Sequence, residues 1–297
     1  MDALKGFIAL TRPVNMLICG LSVICGAIIG DRPATLFIEL LTSTGQGSPP
    51  GWAFRTGAAA LSASLILAAG NVLNDIYDVS TDSINAPKRP IPSGLVTVRM
   101  ARCFFGILTV AGFIFAAPLH IPGIAVALTA FSLLVVYDIK LKGVPLAGNI
   151  VVAGLGGLAF IYGGIAGNCI KEAMIPASFA MLFHLGREII KDAADLRGDK
   201  RAGIKTAATV WGVTVACRLA SFVLILLAFV VALPSLTGRF GVVYTVYIAL
   251  GVCPVLLYAA ASSLTDQSEP NLRRISMILK VDMPLGIIAV LAGFQGW

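Results

Sequence analysis

The amino-acid sequence predicts an all-α, polytopic membrane protein with nine transmembrane helices. Composition is the first indication, because 58% of the 297 residues are hydrophobic, only 12% are charged and the mean hydropathy is +0.91. Soluble domains carry about 25% charged residues. The second indication is a series of apolar runs that reach the roughly 20 residues a helix needs to cross a bilayer. We therefore expect a single membrane domain over residues 1–297, with no soluble module.

The apolar runs define the candidate helices in order along the chain. The first run lacks a convincing small-residue cleavage site, so we expect it to be a retained helix rather than a signal peptide. The closely spaced pair around His120 and Pro122 could also be divided differently. A polar segment, Ser43–Gly51, is expected to be an external loop. The predicted spans cover residues 14–31, 57–74, 103–119, 121–137, 145–168, 173–190, 207–234, 242–261 and 283–297.

Basic residues are concentrated on one side of this predicted bundle. All but four of the 22 Lys and Arg residues lie in or beside the N-terminal segment and the loops at 75–102, 138–144, 187–206 and 262–282. The other side keeps Arg32, Arg55, Lys171 and Arg239. The positive-inside rule therefore places the N-terminus and the basic loops in the cytoplasm and the C-terminus outside the cell membrane. This topology and anionic membrane lipids account for the net charge of +7, so no nucleic-acid partner is expected.

The same acidic pattern occurs twice, each time where an apolar run ends. The first copy lies within residues 71–94 and the second within residues 187–206. In both copies three aspartates fall at i, i+3 and i+7, which places them on one face of a helix. Each aspartate of the first copy lies 117 positions before its counterpart in the second: Asp75 and Asp192, Asp78 and Asp195, Asp82 and Asp199. This constant offset suggests two pseudo-repeated halves.

Closely spaced carboxylates indicate a site for a divalent cation. Like charges at this spacing repel each other unless a cation or a proton lies among them. Mg²⁺ prefers carboxylate and phosphate oxygens, together with water. Neighbouring basic side chains can bind the outer phosphate oxygens of a ligand: Lys88, Arg89, Lys191, Lys200 and Arg201. A ligand with a diphosphate head and a long hydrocarbon tail, such as an isoprenyl diphosphate, fits both this site and its apolar surroundings.

The two motifs together resemble the paired signatures of the intramembrane UbiA-type prenyltransferases. The matching patterns are Asn74-Asp75-x-x-Asp78-x-x-x-Asp82 and Asp192-x-x-Asp195-x-x-x-Asp199. Further matches extend along most of the chain: Thr11–Asn15, Lys88-Arg89-Pro90, Tyr137 to Lys142, Gly148-Asn149 and Lys205-Thr206. The resemblance implies a nine-helix bundle around a lateral, lipid-open cavity capped by cytoplasmic loops.

Two segments narrow the resemblance to one subgroup of this family. Arg12–Asn15 and Arg187–Asp192 are most similar to archaeal members that transfer a geranylgeranyl group to geranylgeranylglyceryl phosphate, forming the second ether bond of archaeal lipids. Asp138 departs from the pattern, since many members carry a small polar residue there. The implied partners are an isoprenyl diphosphate donor and a lipid-like acceptor.

The resemblance also implies roles for individual residues. The allylic carbon–oxygen bond ionises, Mg²⁺ neutralises charge on the departing diphosphate, and an acceptor hydroxyl captures the cation. Asp75 and Asp192 would support the metal ligands or hold the acceptor proton, and Tyr137 would stabilise the cation or orient the acceptor. The implied metal ligands are Asn74, Asp78, Asp82, Asp195 and Asp199. The candidate substrate-binding residues are Arg12, Asn15, Asn71, Lys88, Arg89, Lys142, Arg187, Lys191, Lys200 and Arg201.

Two alternatives remain open at the level of the sequence. An aromatic or quinone precursor is the alternative acceptor, although the additional cations Arg12, Lys142 and Arg187 favour a phosphorylated lipid. A transporter or cation channel is the alternative of another class, since intramembrane carboxylates often mark ion pathways. Against it, the aspartates cluster at one side of the membrane. The glycines of residues 154–164 fit an interrupted transporter helix no better than close helix packing.

Overall fold

The computed structural model describes residues 2–29 and 51–293, and these residues form helices without a β-strand. Arg32, residues 43–50 of the predicted external loop, and residues 294–297 of the last predicted span lie outside the described residues. The helices are α1 Asp2–Thr11, α2 Pro13–Ile28, α3 Trp52–Tyr77, α4 Val79–Asn85, α5 Val98–Ala116, α6 His120–Val136, α7 Ala147–Gly167, α8 Ile170–Ala194, α9 Leu196–Ala202, α10 Ala207–Trp211, α11 Val213–Leu236, α12 Val242–Tyr247, α13 Cys253–Thr265 and α14 Glu269–Gly293.

Several of these helices are suited to a membrane. In the described residues, seven helical segments are long and apolar enough to cross a bilayer, and α1 with α2 forms an eighth as a pair bent by 41°. The chain is therefore a multi-pass membrane protein. The bend falls at Arg12, which has a left-handed backbone with φ of 53°.

One of the seven segments, Val98–Leu141, folds back on itself. The rings of Phe105 and Phe131 stack with their centroids 6.1 Å apart. In a straight helix these residues would lie roughly 39 Å apart, because each residue adds about 1.5 Å. The reversal occurs at a short 3₁₀ turn followed by His120, whose φ is 55°. Helices α5 and α6 therefore form an antiparallel hairpin.

Helices α7 and α8 join the two halves of the bundle. Helix α7 packs against α2, α3 and α6, while α8 packs against α11 and α14, and α7 and α8 contact each other. The last helix, α14, also contacts α2. Elements from both ends of the chain therefore meet around the same helices.

The structure corrects the start of the last predicted span. Helix α14 begins at Glu269 rather than at residue 283. Its buried residues Leu272, Ile275 and Leu279 fall at helical spacing, but the charges between them lower the average hydropathy of the segment. Lys280 therefore belongs to a helix and not to the predicted loop at 262–282.

The start of the seventh predicted span is also corrected. Residues 207–211 form the separate short helix α10, whose first turn is capped by the side chain of Thr206. The break follows at Gly212, where φ of 90° favours glycine. The membrane helix α11 therefore begins at Val213 rather than at residue 207.

Candidate active site

Both acidic motifs lie where a long helix breaks and a short helix begins. Asp78 separates α3 from α4 and has φ of −88° and ψ of 3°. Asp195 separates α8 from α9 and has φ of −89° and ψ of 6°. The two breaks thus occur at corresponding positions with the same backbone geometry. Each break places the third aspartate of its motif on the short helix.

Every aspartate of the first motif has a basic partner. These partners come from the corner between α1 and α2, from the loop after α4, and from the segment between α6 and α7. Attraction to a cation offsets the repulsion among the three carboxylates. The ion pairs are Asp75 with Arg12 at 2.6 Å, Asp78 with Lys142, and Asp82 with Arg89 at 2.5 Å.

The corner between α1 and α2 is fixed to the end of α3. Arg12 Nη2 donates to Asp75 Oδ1, and it lies 3.3 Å from Asn74 Oδ1. The side-chain amide of Asn71 donates to the carbonyl oxygen of Thr11 at 3.0 Å. Asn71 and Arg12 therefore hold the corner that the sequence predicted as a substrate-binding element, and Asp75 is buried beneath it.

Asp82 is buried on α4, beside the loop that carries Arg89. Burial raises the pKa of its carboxyl group, whereas the hydrogen bond and charge of Arg89 act in the opposite direction. The charges of the other two aspartates raise it further. The Arg89 guanidinium also lies 3.7 Å from Asp75. Arg89 therefore links the first and third carboxylates of the motif.

The aspartates of the second motif have fewer cationic partners. Asp192 accepts a hydrogen bond from the side-chain amide of Asn149 at 2.8 Å. Asp195 pairs with Arg273 of α14 at 3.0 Å. Asp199 forms no ion pair within the described residues, and burial, followed by the charge of Asp195, raises its pKa to about 6. The carboxylates of the second motif are therefore less fully neutralised by the protein than those of the first, and a bound cation would stabilise them more.

Lys142 lies between the two acidic motifs. It pairs with Asp78 of the first motif, and its charge also lowers the pKa of Asp199 in the second. Lys191 acts on Asp199 in the same direction. The two acidic stripes therefore face a shared space.

Tyr137 and Asp138 lie in a wide helical turn at the end of α6. The side-chain amide of Asn74 donates to Asp138 Oδ1 at 2.8 Å, which ties this turn to the first motif. Tyr137 lies against Gly148 and within electrostatic range of Lys191 and Asp192. The turn therefore contacts the first motif on one side and faces the second on the other.

Glu188 organises the cations of α8. Its carboxylate accepts a hydrogen bond from Arg187 at 2.7 Å and lies 3.4 Å from Lys191 Nζ. The Arg187 Nε atom also donates to the carbonyl oxygen of Ser276 on α14. The three side chains Arg187, Glu188 and Lys191 thus connect the second motif to the last helix.

Four predicted substrate-binding residues do not join these contacts. Lys88, Lys200 and Arg201 are exposed and form no ion pair within the described residues. Asn15 is partly buried on α2 and forms no side-chain hydrogen bond to any part of the chain that the structure describes. These four side chains lie outside the network that connects the two acidic motifs.

The donor set fits a hard divalent cation, although the carboxylates are not gathered around one point. No group of three or more His, Cys, Asp or Glu side chains in the described part of the chain is close enough to hold a metal ion. Mg²⁺ commonly uses only one or two protein carboxylates and completes its shell with phosphate oxygens and water. Asp195 and the partly buried Asp199 match that requirement.

Sequence reasoning missed three residues that contact the site and a fourth, Lys280, that lies within electrostatic range of Arg12 and Arg187. Asn149 entered only as part of the family resemblance, and Asp138 only as a departure from it. Arg273 and Lys280 were counted as topology signals in a loop. The helical spacing of Leu272, Ile275 and Leu279 would have predicted a helix over residues 269–282, and this helix carries both basic residues.

Comparison with known proteins identifies the family. The model of the UbiA prenyltransferase family matches residues 33–280. The chain belongs to the UbiA prenyltransferase family. Curated relatives include digeranylgeranylglyceryl phosphate synthase of Methanopyrus kandleri, which is 33% identical over 97% of this chain and 99% of its own length. The synthase of Halobacterium salinarum is 35% identical over 90% of both chains.

Solved structures of UbiA proteins have the same fold. A digeranylgeranylglyceryl phosphate synthase aligns with a TM-score of 0.75 and 28% identity over 99% of both chains. A UbiA homologue from Aeropyrum pernix K1 aligns with a TM-score of 0.71 and 18% identity over 92% of this chain and 97% of its own. The homologue from Archaeoglobus fulgidus bound to GPP and Mg²⁺ aligns with a TM-score of 0.62 and 17% identity over 96% and 99%.

Family membership decides between the classes left open by the sequence. This UbiA protein is a membrane prenyltransferase, and the transporter and channel alternative is set aside. The location of both acidic motifs at helix ends agrees with a site at one side of the membrane. The structure also shows α7 running unbroken through its glycines, as close helix packing requires.

Proposed function

We propose that this protein transfers a geranylgeranyl group from its diphosphate to the hydroxyl of geranylgeranylglyceryl phosphate. The product carries the second ether bond of an archaeal-type membrane lipid. The observation that carries this proposal is the near full-length similarity to several digeranylgeranylglyceryl phosphate synthases. The two acidic stripes and their basic neighbours supply the groups that a diphosphate donor and a phosphorylated acceptor require.

The second motif supplies the strongest support for metal binding. Asp195 and Asp199 would hold Mg²⁺ together with Asn74, Asp78 and Asp82 of the first motif. When bound, the metal supplies positive charge for the departing diphosphate. The A. fulgidus relative was solved with GPP and Mg²⁺, which supports the same cofactor here.

Basic side chains would hold the donor diphosphate in this space. Arg89, Lys142 and Lys191 lie within the network of the two motifs, so they are the best placed to bind its outer oxygens. Lys88, Lys200 and Arg201 are exposed and would reach the diphosphate only from the rim. We infer that Arg89, Lys142 and Lys191 orient the donor diphosphate. The exposed side chains attract it to the site: Lys88, Lys200 and Arg201.

The reaction needs a carboxylate that accepts the hydroxyl proton. The allylic carbon–oxygen bond breaks, the diphosphate leaves with the electron pair, and the acceptor oxygen forms the ether bond as it loses its proton. Asp75 is buried and held by Arg12. Asp192 has one oxygen held by Asn149, so its other oxygen is the better acceptor for that proton. Tyr137 lies between the motifs and would orient the acceptor or stabilise the allylic cation.

We also propose nine membrane crossings around a lipid-open cavity, with the site facing the cytoplasm. Counting the α5–α6 hairpin as two spans and the bent α1–α2 pair as one supports this number. The excess of Lys and Arg at the site end supports the orientation, with the N-terminus inside and the C-terminus outside. The matching breaks at Asp78 and Asp195 support an origin of the single domain from two related halves.

A transfer assay tests the proposed activity. Purified protein in bilayers receives radiolabelled geranylgeranyl diphosphate and Mg²⁺, with geranylgeranylglyceryl phosphate and 4-hydroxybenzoate offered separately. We expect label only in the glycerol lipid, and none after EDTA. Asp78→Ala and Asp195→Ala should each lower the rate about 10²-fold, as expected when a charge-stabilising group is removed. Glu172→Ala, at the opposite end of α8, is the control.

The outcomes of this assay are distinct. Labelling of 4-hydroxybenzoate instead of the glycerol lipid would support the aromatic acceptor. Equal rates with and without EDTA would contradict the metal-dependent mechanism.

A further inference from the structure

A lysine without a counter-charge lies near two arginines, about midway along the last helix. Lys280 is partly buried on α14, and it lies within electrostatic range of Arg187 and Arg12. No carboxylate in the described residues forms an ion pair with it. A cation held next to two others is unfavourable unless an anion joins them.

Three separate elements bring these cations together. Helix α14 packs against both α2 and α8, which carry Arg12 at the head of one and Arg187 on the other. Arg187 Nε lies 3.4 Å from the carbonyl oxygen of Ser276. Ser276 precedes Lys280 by one helical turn, so the two residues lie on the same face of α14.

The three cations differ in their carboxylate partners. Arg12 pairs with Asp75, and Arg187 pairs with Glu188. Lys280 forms no ion pair among the described residues and therefore supplies the unpaired positive charge of the cluster. An anion bound there would meet Lys280 together with the remaining N–H donors of the two arginines, which are groups that bind a phosphate monoester.

A largely apolar cavity, with Asp282 and Ser22 among its few polar lining residues, begins one turn after Lys280. Met283 and Ile287 line it one and two turns after Lys280. On α8, His184 lines it one turn before Arg187, and Phe183 extends the wall. The same two helices therefore present cations first and then an apolar cavity, an arrangement that matches a phosphorylated head and a hydrocarbon chain.

We propose that Arg12, Arg187 and Lys280 bind the phosphate of the lipid acceptor, with its isoprenoid chain in the cavity beside Met283 and Ile287. This inference rests on the proposed function, because it assigns the acceptor of that reaction to one part of the site. The donor diphosphate occupies the space between the acidic motifs, so the two substrates have separate anion sites.

Substitution of Lys280 tests the phosphate site. Lys280→Gln should raise the KM for geranylgeranylglyceryl phosphate about tenfold or more, as expected for loss of a charge-assisted hydrogen bond. The KM for geranylgeranyl diphosphate should stay unchanged, and Lys280→Arg should retain most of the affinity. Lys5→Gln, an exposed lysine of α1, is the matched control. With geranylgeranylglycerol, which has no phosphate, Lys280→Gln and wild type should perform equally.

A binding measurement separates failure of this inference from failure of the proposed function. Radiolabelled geranylgeranylglyceryl phosphate is equilibrated with the protein in EDTA, without a donor. Weaker binding to Lys280→Gln supports the phosphate site even if wild type prenylates another acceptor. Equal binding to both proteins, or an equal rise in the KM of donor and acceptor, overturns it.

Gly286 provides a test of the cavity. It lines the cavity, and a Cβ atom there would meet nothing within 4 Å. Gly286→Phe should therefore fill space in the cavity, while Gly57→Phe, at an exposed position of α3 outside the cavity where a Cβ atom also meets nothing within 4 Å, is the control. We expect weaker binding of the long-chain acceptor but unchanged binding of free glycerol 1-phosphate. A rise in donor KM alone would assign the cavity to the donor chain and overturn this part of the proposal.

Discussion

At the scale of single residues, the carboxylates of the site are held by partners that are distant in the sequence. Lys142 lies 64 positions after Asp78, and Asn149 lies 43 positions before Asp192. The sequence predicted Lys142 and Asp192 as site residues but could not pair them. A pairing of this kind depends on which helix ends meet, and local spacing carries no information about it.

Asn149 gives a prediction at this scale. Its amide holds one oxygen of Asp192, so Asn149→Ala should leave that carboxylate poorly oriented. We expect the rate to fall roughly 10–100-fold, as found when groups that orient site ligands are lost. Asn149→Asp should be worse, because it places a second carboxylate against the first. Steady-state kinetics at saturating Mg²⁺ would measure both, and a wild-type rate for Asn149→Ala would contradict the assigned orientation.

At the scale of elements, close contact between α2 and α7 depends on glycine. A Cβ atom on Gly163 would lie 1.9 Å from the Val23 carbonyl oxygen, and one on Gly26 would lie 2.1 Å from the Phe160 carbonyl oxygen. Small residues allow helix backbones to approach closely in membranes. This contact positions α2, and with it Arg12, against the rest of the site.

The contact predicts different outcomes for two glycines of the same helix. Gly163→Ala should force α2 and α7 apart and cost about 1–3 kcal/mol, the usual range for overpacking. Gly154→Ala should be neutral or slightly stabilising, because nothing lies within 4 Å of its Cβ position and alanine favours helices. Thermal unfolding in one detergent compares them, and equal melting temperatures would contradict the close contact.

The helix breaks show what can be read from a repeated motif. Equal spacing of the aspartates indicated one helical face, and the offset of 117 indicated two related halves. In the structure each motif bends at its middle aspartate, so its three aspartates are divided between a long helix and a short one. The bend was not predicted because the residues around Asp78 and Asp195 include neither proline nor a left-handed glycine.

At the scale of the whole molecule, the distribution of charge predicts the orientation. Exposed Ser93 lies at the site end, whereas exposed Lys171 lies near the start of α8 at the opposite end. In a cysteine-free background, a membrane-impermeant maleimide added to intact cells should label Lys171→Cys but not Ser93→Cys. Permeabilised cells should label both. The reverse pattern in intact cells would contradict the cytoplasmic site.

The sequence by itself determined the class of the protein and its family. An apolar composition identifies a chain that folds in the membrane, and the paired motifs preserve the spacing of charged groups on helices. The tertiary structure decided which groups meet: Arg12 with Asp75, Asn74 with Asp138, and Arg187 with Ser276. These contacts join helices that are far apart in the chain. They are set by how the helices pack, so no pattern confined to one segment could reveal them.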